Sequence, residues 1–327
     1  METRRLQKTG GSSITVTLPK KWIEKNGLTD KDLLKVSYSD SAILVLQPLT
    51  NKKIISRSTI KLDGMKDKMF VRELVAHYIS GVDDITIQSQ RISPEQRNKI
   101  RELSNFLTGF EIIDESAEKI IMRNIFDPSK FPVHKNIEKM FLITISMFKD
   151  ALHALMENDK DLAKDVIQRD YEIDKLYLVI KRQEHSLEYN KISQEEIGLN
   201  LSDLHYYKDV ATQLERIADH AVKITRAVEN FDKKSLHLSS SFTNAADKIT
   251  MLLNKSQDMV KKIDKKLAHE ILDINSEIKK ITINFGKMQP EEMFILNLIE
   301  DSFDRVRGYT TNIAEVTIDQ SVEKENK

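Results

Sequence analysis

The chain has 327 residues, and its 51 Lys plus Arg equal its 51 Asp plus Glu; this length suits two or three domains, and the balance excludes a chain-wide basic character while allowing a local basic patch. It has no cysteine, which excludes disulfides, thiolate zinc sites, iron–sulfur clusters and cysteine nucleophiles. No run approaches the ~18 apolar residues that cross a bilayer and the N-terminus lacks an apolar signal core, so the expectation is a soluble, cytoplasmic protein.

Residues 1–49 read as a small β unit. Arg4 to Gln7 and Ile14 to Leu18 are expected strands around the turn from Thr9 to Ser12, the second alternating and β-branched. Pro19 opens a short helix, Lys20 to Asn26, closed by Gly27. Leu33 to Tyr38 and Ala42 to Gln47 follow as strands around Ser39-Asp40-Ser41. Four short strands in about fifty residues make a poor core, and a second copy would supply the missing surface.

The run from Lys8 to Trp22 (KTGGSSITVTLPKKW), then Gly27-Leu28 and the two closing strands, resembles the SpoVT–AbrB swapped-hairpin family. That resemblance implies an intertwined homodimer that binds DNA. Its candidate DNA contacts here are Arg4, Arg5, Lys8, Lys20 and Lys21. Arginine forks onto guanine edges or phosphates, while lysine mostly supplies charge. The competing reading is ordinary solvated charge on a dimerisation module, because Glu2, Glu24, Asp30, Asp32 and Asp40 oppose the basic residues.

Residues 50–132 read as a small α/β domain of unassigned role. Strands are expected at Ile54 to Ile60, Asp84 to Gln88, Phe110 to Asp114 and Lys119 to Arg123, with helices at Asp67 to Ile79 and Ser93 to Leu107. The order suggests one sheet with its helices on one face. Neither a glycine-rich phosphate loop nor a catalytic constellation is present, and His77 is expected to serve packing. Asp127 to Pro132 reads as a linker.

Residues 133–320 read as all-α, in two three-helix repeats, 133–232 and 238–320. Six helices are expected, near 135–157, 160–188, 194–230, 240–263, 265–284 and 290–319, separated at Asn158, Asn190 to Ser193, Ser235 to Ser241 and Gly286 to Pro290. Leu214, Ile217, Ala221, Ile224 and Val228 step at helical spacing, as do Leu162, Val166, Ile173, Leu176, Ile180 and Leu187. Asp170 with Asp174, and Glu215 with Asp219, are i,i+4 pairs, so each pair leaves one side of its helix. Two such helices together can offer a negative surface to a hard cation, or to a cation bridging phosphate. The plainer reading is a solvated charged face in a chain this rich in charge. His220 points about 100° away from Asp219 and no Glu-x-x-His pair accompanies the carboxylates, which disfavours an oxygen-activating di-iron site.

The run LERIADHAVKI at 214–224, with Asp170-x-x-x-Asp174 on the preceding helix, resembles the PhoU proteins. That family implies tandem three-helix bundles that regulate phosphate uptake, with divalent or iron cations on the bundle surface. By resemblance Asp170, Asp174, Glu215 and Asp219 become metal-ligand candidates. The second repeat departs from the pattern. In FDRVRGYTTNIA at 303–314, Asp304 replaces the glutamate and Gly308 stands where the aspartate belongs. Asp273 and Glu277 have the spacing of the earlier pair, so Asp273, Glu277 and Asp304 complete the candidate list. The combined architecture is multidomain: an all-β dimeric module, a small α/β segment and an all-α tandem bundle. It resembles archaeal phosphate-uptake regulators, which implies a negative regulator that binds DNA and meets a phosphate-transporter component at the membrane periphery. An adaptor that only dimerises and docks on the transporter is the alternative. A metal-dependent enzyme is disfavoured, because neither an open ligand position nor a general base can be placed.

Overall fold

The structure is a computed structural model that describes residues 2–38, 43–49, 55–189, 191–229, 240–278 and 289–326. The expected turn at Ser39 to Ser41, Ile54 at the start of an expected strand, Asn190, and most of the breaks at 235–241 and 286–290 lie outside the described residues. The chain divides into two compact units, Met1–Ile55 and Ser56–Lys327.

The first unit holds two antiparallel ladders, β1 (Gln7–Thr9) with β2 (Ser13–Thr15) and β3 (Leu34–Tyr38) with β4 (Leu44–Pro48), and one short helix, α1 (Lys20–Lys25). Gly10, at φ 72°, turns the first hairpin, and Gly27, at φ 61°, follows α1; both use the left-handed region open to glycine. The first hairpin is shorter than its alternation predicts, and Val16 to Leu18 carry no ladder. Leu28 is the one buried apolar side chain among the unit's described residues, whereas Leu6, Ile14, Val36 and Leu44 are more than half exposed.

The second unit begins with a four-stranded sheet ordered β5 (Arg57–Lys61), β6 (Asp84–Gln88), β8 (Lys119–Asn124), β7 (Phe110–Glu115). β5 and β6 are parallel and joined across α2 (Asp67–Ile79), while β6–β8 and β7–β8 are antiparallel. α3 (Pro94–Phe106) starts in a capping box, Ser93 and Gln96 satisfying each other's backbone N–H, with Pro94 in the first turn. Ile85, Ile87, Ile120 and Met122 pack with Phe70, Leu74, Tyr78 and Ile100 into one core. His77 lies on α2 with Nδ1 2.8 Å from the Glu73 carbonyl.

The long helices are α4 (Val133–Glu157), α5 (Lys160–Glu188), α7 (Leu201–Glu229), α8 (Ser240–Lys262), α9 (Lys265–Glu277) and α10 (Pro290–Glu325). The expected helix 194–230 is broken. Its first turn, α6 (Gln194–Ile197), ends at Gly198 with φ 72°, a conformation that stops a helix. α7 packs on α4, α5 and α10, and α10 packs on α8 and α9. Phe303 reaches Phe148 and Phe242 at ring distances of 5.8 and 6.4 Å, so both repeats share one core. Among the described residues no helix is long and apolar enough to cross a membrane.

The two repeats begin alike. α4 ends on Asn158 at φ 53°, and Asp159 then caps α5 by accepting from the N–H groups of Asp161 and Leu162. Ile263 at φ 51° precedes Asp264, which caps α9 by accepting from Lys266 and Leu267. Superposing the caps pairs buried Ala163 with Ala268, Val166 with Ile271 and Ile173 with Ile278.

Candidate functional site: an acidic patch on the first bundle

The stripes turn inward as their spacing predicts: Val166, Ile173 and Ile180 on α5, and Leu214, Ile217, Ala221 and Ile224 on α7, are buried in the bundle core. That rotation leaves Asp170, Asp174 and Glu215 half-buried and Asp219 exposed. Ala211, Ala218 and Val222 are buried beside the α7 pair, and small residues there keep the surface open. The four carboxylates face one another. Glu215 is pushed up to about 7, first by burial, then by the charges of Asp219 and Asp174, with Arg216 opposing. Asp174 is pushed up to about 6 by burial and then by Asp170 and Asp219. Asp170 is raised by burial and by Asp219, against Arg226.

Mutually repelling carboxylates on two neighbouring helices, three of them half-buried, have the donor chemistry of a hard-cation site. As they stand, no three Asp, Glu or His side chains among the described residues converge into a ligand set. His220 belongs to a different contact: its ring lies 5.9 Å from that of Tyr309 on α10, and burial lowers its pKa, with Lys223 adding to the effect.

The second-repeat candidates are not brought together. With the helix caps superposed, Asp170 corresponds to Asn275, so Asp273 and Glu277 fall two residues to either side of it. Both are exposed. Asp304 is exposed and paired with Arg307 at 3.2 Å.

In the N-terminal unit Arg4, Arg5, Lys8, Lys20 and Lys21 are all exposed. Lys8 stands opposite Ile14 across the first hairpin. Arg4 pairs with Glu2 at 2.5 Å and Lys20 with Glu24 at 3.7 Å.

One structural tie gave no sequence signal. Arg182 on α5 is buried and donates to the carbonyls of Tyr78 and, at 3.2 Å, Val82. Its guanidinium lies 4.9 Å from the Tyr78 ring centre and 5.3 Å from that of Phe110. Lys191 donates to the Gly81 carbonyl at 3.2 Å. Two cations thus meet the C-terminal end of α2, where the carbonyls carry the helix's partial negative charge. The rings of Phe106 and Tyr171 also meet in a tilted contact at 4.9 Å. The expected linker is likewise held: Phe126 stacks on Phe131 at 4.8 Å, and Gln183 donates to the Phe131 carbonyl at 2.9 Å.

The helical part is thus three-helix repeats in tandem, the first with a carboxylate patch shared by its second and third long helices. Residues 137–228, the first repeat, match the family model of the PhoU domain. Residues 7–54 match the model described as antidote-toxin recognition MazE, bacterial antitoxin, which marks the N-terminal unit as MazE/AbrB-like. Among curated proteins, the chain is 23% identical over 207 residues to a phosphate-specific transport system accessory protein PhoU homolog of Clostridium acetobutylicum, covering 60% of this chain and 94% of that one. Two similar solved structures are both PhoU. One, the phosphate transport system regulatory protein from Streptococcus pneumoniae, has TM-score 0.47, 18% identity and coverage of 57% of this chain and 91% of its own. The other, from Pseudomonas aeruginosa, has TM-score 0.46, 19% identity and coverage of 57% and 93%.

Proposed function

We propose that this protein is a cytoplasmic, phosphate-responsive negative regulator of phosphate uptake that binds DNA through residues 1–49 and senses through its helical bundle. The PhoU domain and its curated relative, named as a phosphate-transport accessory protein, support the phosphate-transport assignment. The observation that carries the sensing role is the acidic patch: burial and the neighbouring carboxylate charges, Asp219 among them, raise the proton affinity of Asp170, Asp174 and Glu215 against the opposing charges of Arg226 and Arg216. A divalent or iron cation there would relieve the repulsion and present a positive centre to phosphate or to a transporter component. The regulator has no need of a catalytic base.

The N-terminal unit supplies the DNA-binding half of the reading. Its open apolar side chains suit a second copy, and Arg4, Arg5, Lys8, Lys20 and Lys21 supply exposed positive charge. Occupancy of the bundle and DNA affinity are then linked through a coupling free energy, and each changes the other by the same factor.

Sequencing of genomic DNA captured by the purified full chain, with and without phosphate, tests this directly. Enrichment upstream of phosphate-transport genes is expected, with an affinity that falls steeply as salt rises because lysine and arginine displace counterions from phosphate. Changing Arg4 and Arg5 to alanine is expected to abolish the enrichment. No salt-dependent capture under any condition would leave the transporter-docking adaptor as the better reading.

A further inference from the structure

The second repeat carries its own cation. Taken from the helix caps, Asp170 of the first repeat corresponds to Asn275, and Asp174 to Lys279, which lies outside the described residues. On the third long helix Leu214, Ile217, Ala221 and Ile224 correspond to Phe303, Val306, Thr310 and Ile313, every one of them buried. In that register Glu215 corresponds to Asp304, Ala218 to Arg307 and Asp219 to Gly308. The two alignments are independent, and they agree in space, because Asn275, Asp304, Arg307 and Gly308 line one cavity of about 420 Å³.

Where the first repeat holds four carboxylates around a small alanine, this cavity holds one carboxylate and a guanidinium. Arg307 Nε donates to Asn275 Oδ1 at 2.9 Å, Nη2 to the Asn275 carbonyl at 3.0 Å, and Nη1 to Asp304 at 3.2 Å. Asn275 is buried and completes the set by donating to Thr311 Oγ1 at 2.6 Å. All three sides of the guanidinium fork are engaged, a geometry lysine cannot reproduce. Gly308 presents no carboxylate, and a Cβ built there would meet nothing within 4 Å.

We infer that Arg307 is a permanent internal counter-ion in the second repeat. It occupies the place of an external cation, so that repeat takes none, and cation binding by the chain is confined to the first bundle. A guanidinium stays charged at every physiological pH, so this half of the bundle is neutralised without regard to cation supply. The asymmetry makes one repeat a scaffold and leaves the other responsive. This rests on the cation reading of the first repeat only for the identity of what Arg307 replaces.

The test uses the full chain and Mn²⁺ as probe, read by titration calorimetry and thermal melting. In a chain with Asp170→Asn, Asp174→Asn, Glu215→Gln and Asp219→Asn, no Mn²⁺ binding is expected to remain. Arg307→Met is expected to lower the melting temperature by about 5 °C, whether or not Mn²⁺ is present, and the milder Arg307→Lys by about half of that. Adding Asn275→Asp, Arg307→Ala and Gly308→Asp to the first-repeat variant is expected to create Mn²⁺ binding and an Mn²⁺-dependent rise in melting temperature. Mn²⁺ binding that survives the first-repeat changes and vanishes on Asp304→Asn would overturn the inference. Unchanged melting of both Arg307 variants would overturn it equally. A wild-type chain that binds no Mn²⁺, with Arg307→Met still destabilising and the redesigned repeat still gaining a site, would defeat the first-repeat reading and uphold this one.

Discussion

At the scale of single residues, the first bundle spends stability to keep its patch. Glu215 and Asp174 hold their protons up to about pH 7 and 6, whereas carboxyls in an unfolded chain release theirs near pH 4. Between those limits the native state binds more protons than the unfolded state, so stability falls as pH rises through the window. The loss is complete above about pH 7, and below about pH 4 the penalty is absent. Thermal melts of metal-free protein across pH 4 to 8 check this. Asp174→Asn with Glu215→Gln is expected to match the wild type near pH 4 and to melt a few degrees higher near pH 7.5. Mn²⁺ is expected to raise only the wild type, and more so at the higher pH, because binding displaces protons.

At the scale of elements, α5 does two things at once. One part of it carries Asp170 and Asp174, and a later turn inserts Arg182 against the end of α2. The α/β segment is therefore fastened to the same helix that carries half of the acidic patch. Removing a buried guanidinium that satisfies two carbonyls and lies over two rings forfeits hydrogen bonds and packing together. Arg182→Met is expected to cost about 2–4 kcal/mol in urea unfolding of the full chain. Its Mn²⁺ affinity is expected to stay the same, because Arg182 touches none of the four carboxylates. Alternation, caps and glycines made most element positions readable: Ser93 and Pro94 start α3, and Asp67–Ile79 falls where its periodicity placed it. The break at Gly198 was missed because one glycine inside a helical pattern reads as tolerable until its positive φ is seen.

At the scale of the whole molecule, the two compact units differ in how they bury apolar surface. The second has continuous cores in both its α/β and helical parts. The first leaves Leu6, Ile14, Leu33 and Val36 open and buries only Leu28 among its described apolar residues. Each exposed aliphatic side chain forgoes roughly 1.5–3 kcal/mol of burial, so a second copy is the expected source of the missing core. Sedimentation of the full chain is expected to give a dimer at micromolar concentration. Ile14→Asp with Val36→Asp is expected to shift it to monomer and to weaken DNA capture in parallel. A variant that stayed dimeric would place the interface elsewhere.

The sequence by itself determined what local chemistry encodes: the order of strands and helices, the inward faces of α5 and α7, and the i,i+4 placement of Asp170 with Asp174 and Glu215 with Asp219. These follow from the 3.6-residue period and from capping residues, which act within a few positions of the chain. It also marked the second repeat as altered, through Gly308 in place of an aspartate. Only the tertiary structure decided which residues meet. It set Asn275, not Asp273 or Glu277, opposite the third helix, turned Arg307 into the partner of Asn275 and Asp304, and drove Arg182 into the end of α2. Those contacts join residues 32 to 104 positions apart, except for the local Arg307–Asp304 pair, and their register depends on how helices rotate against a shared core rather than on any property of the local sequence.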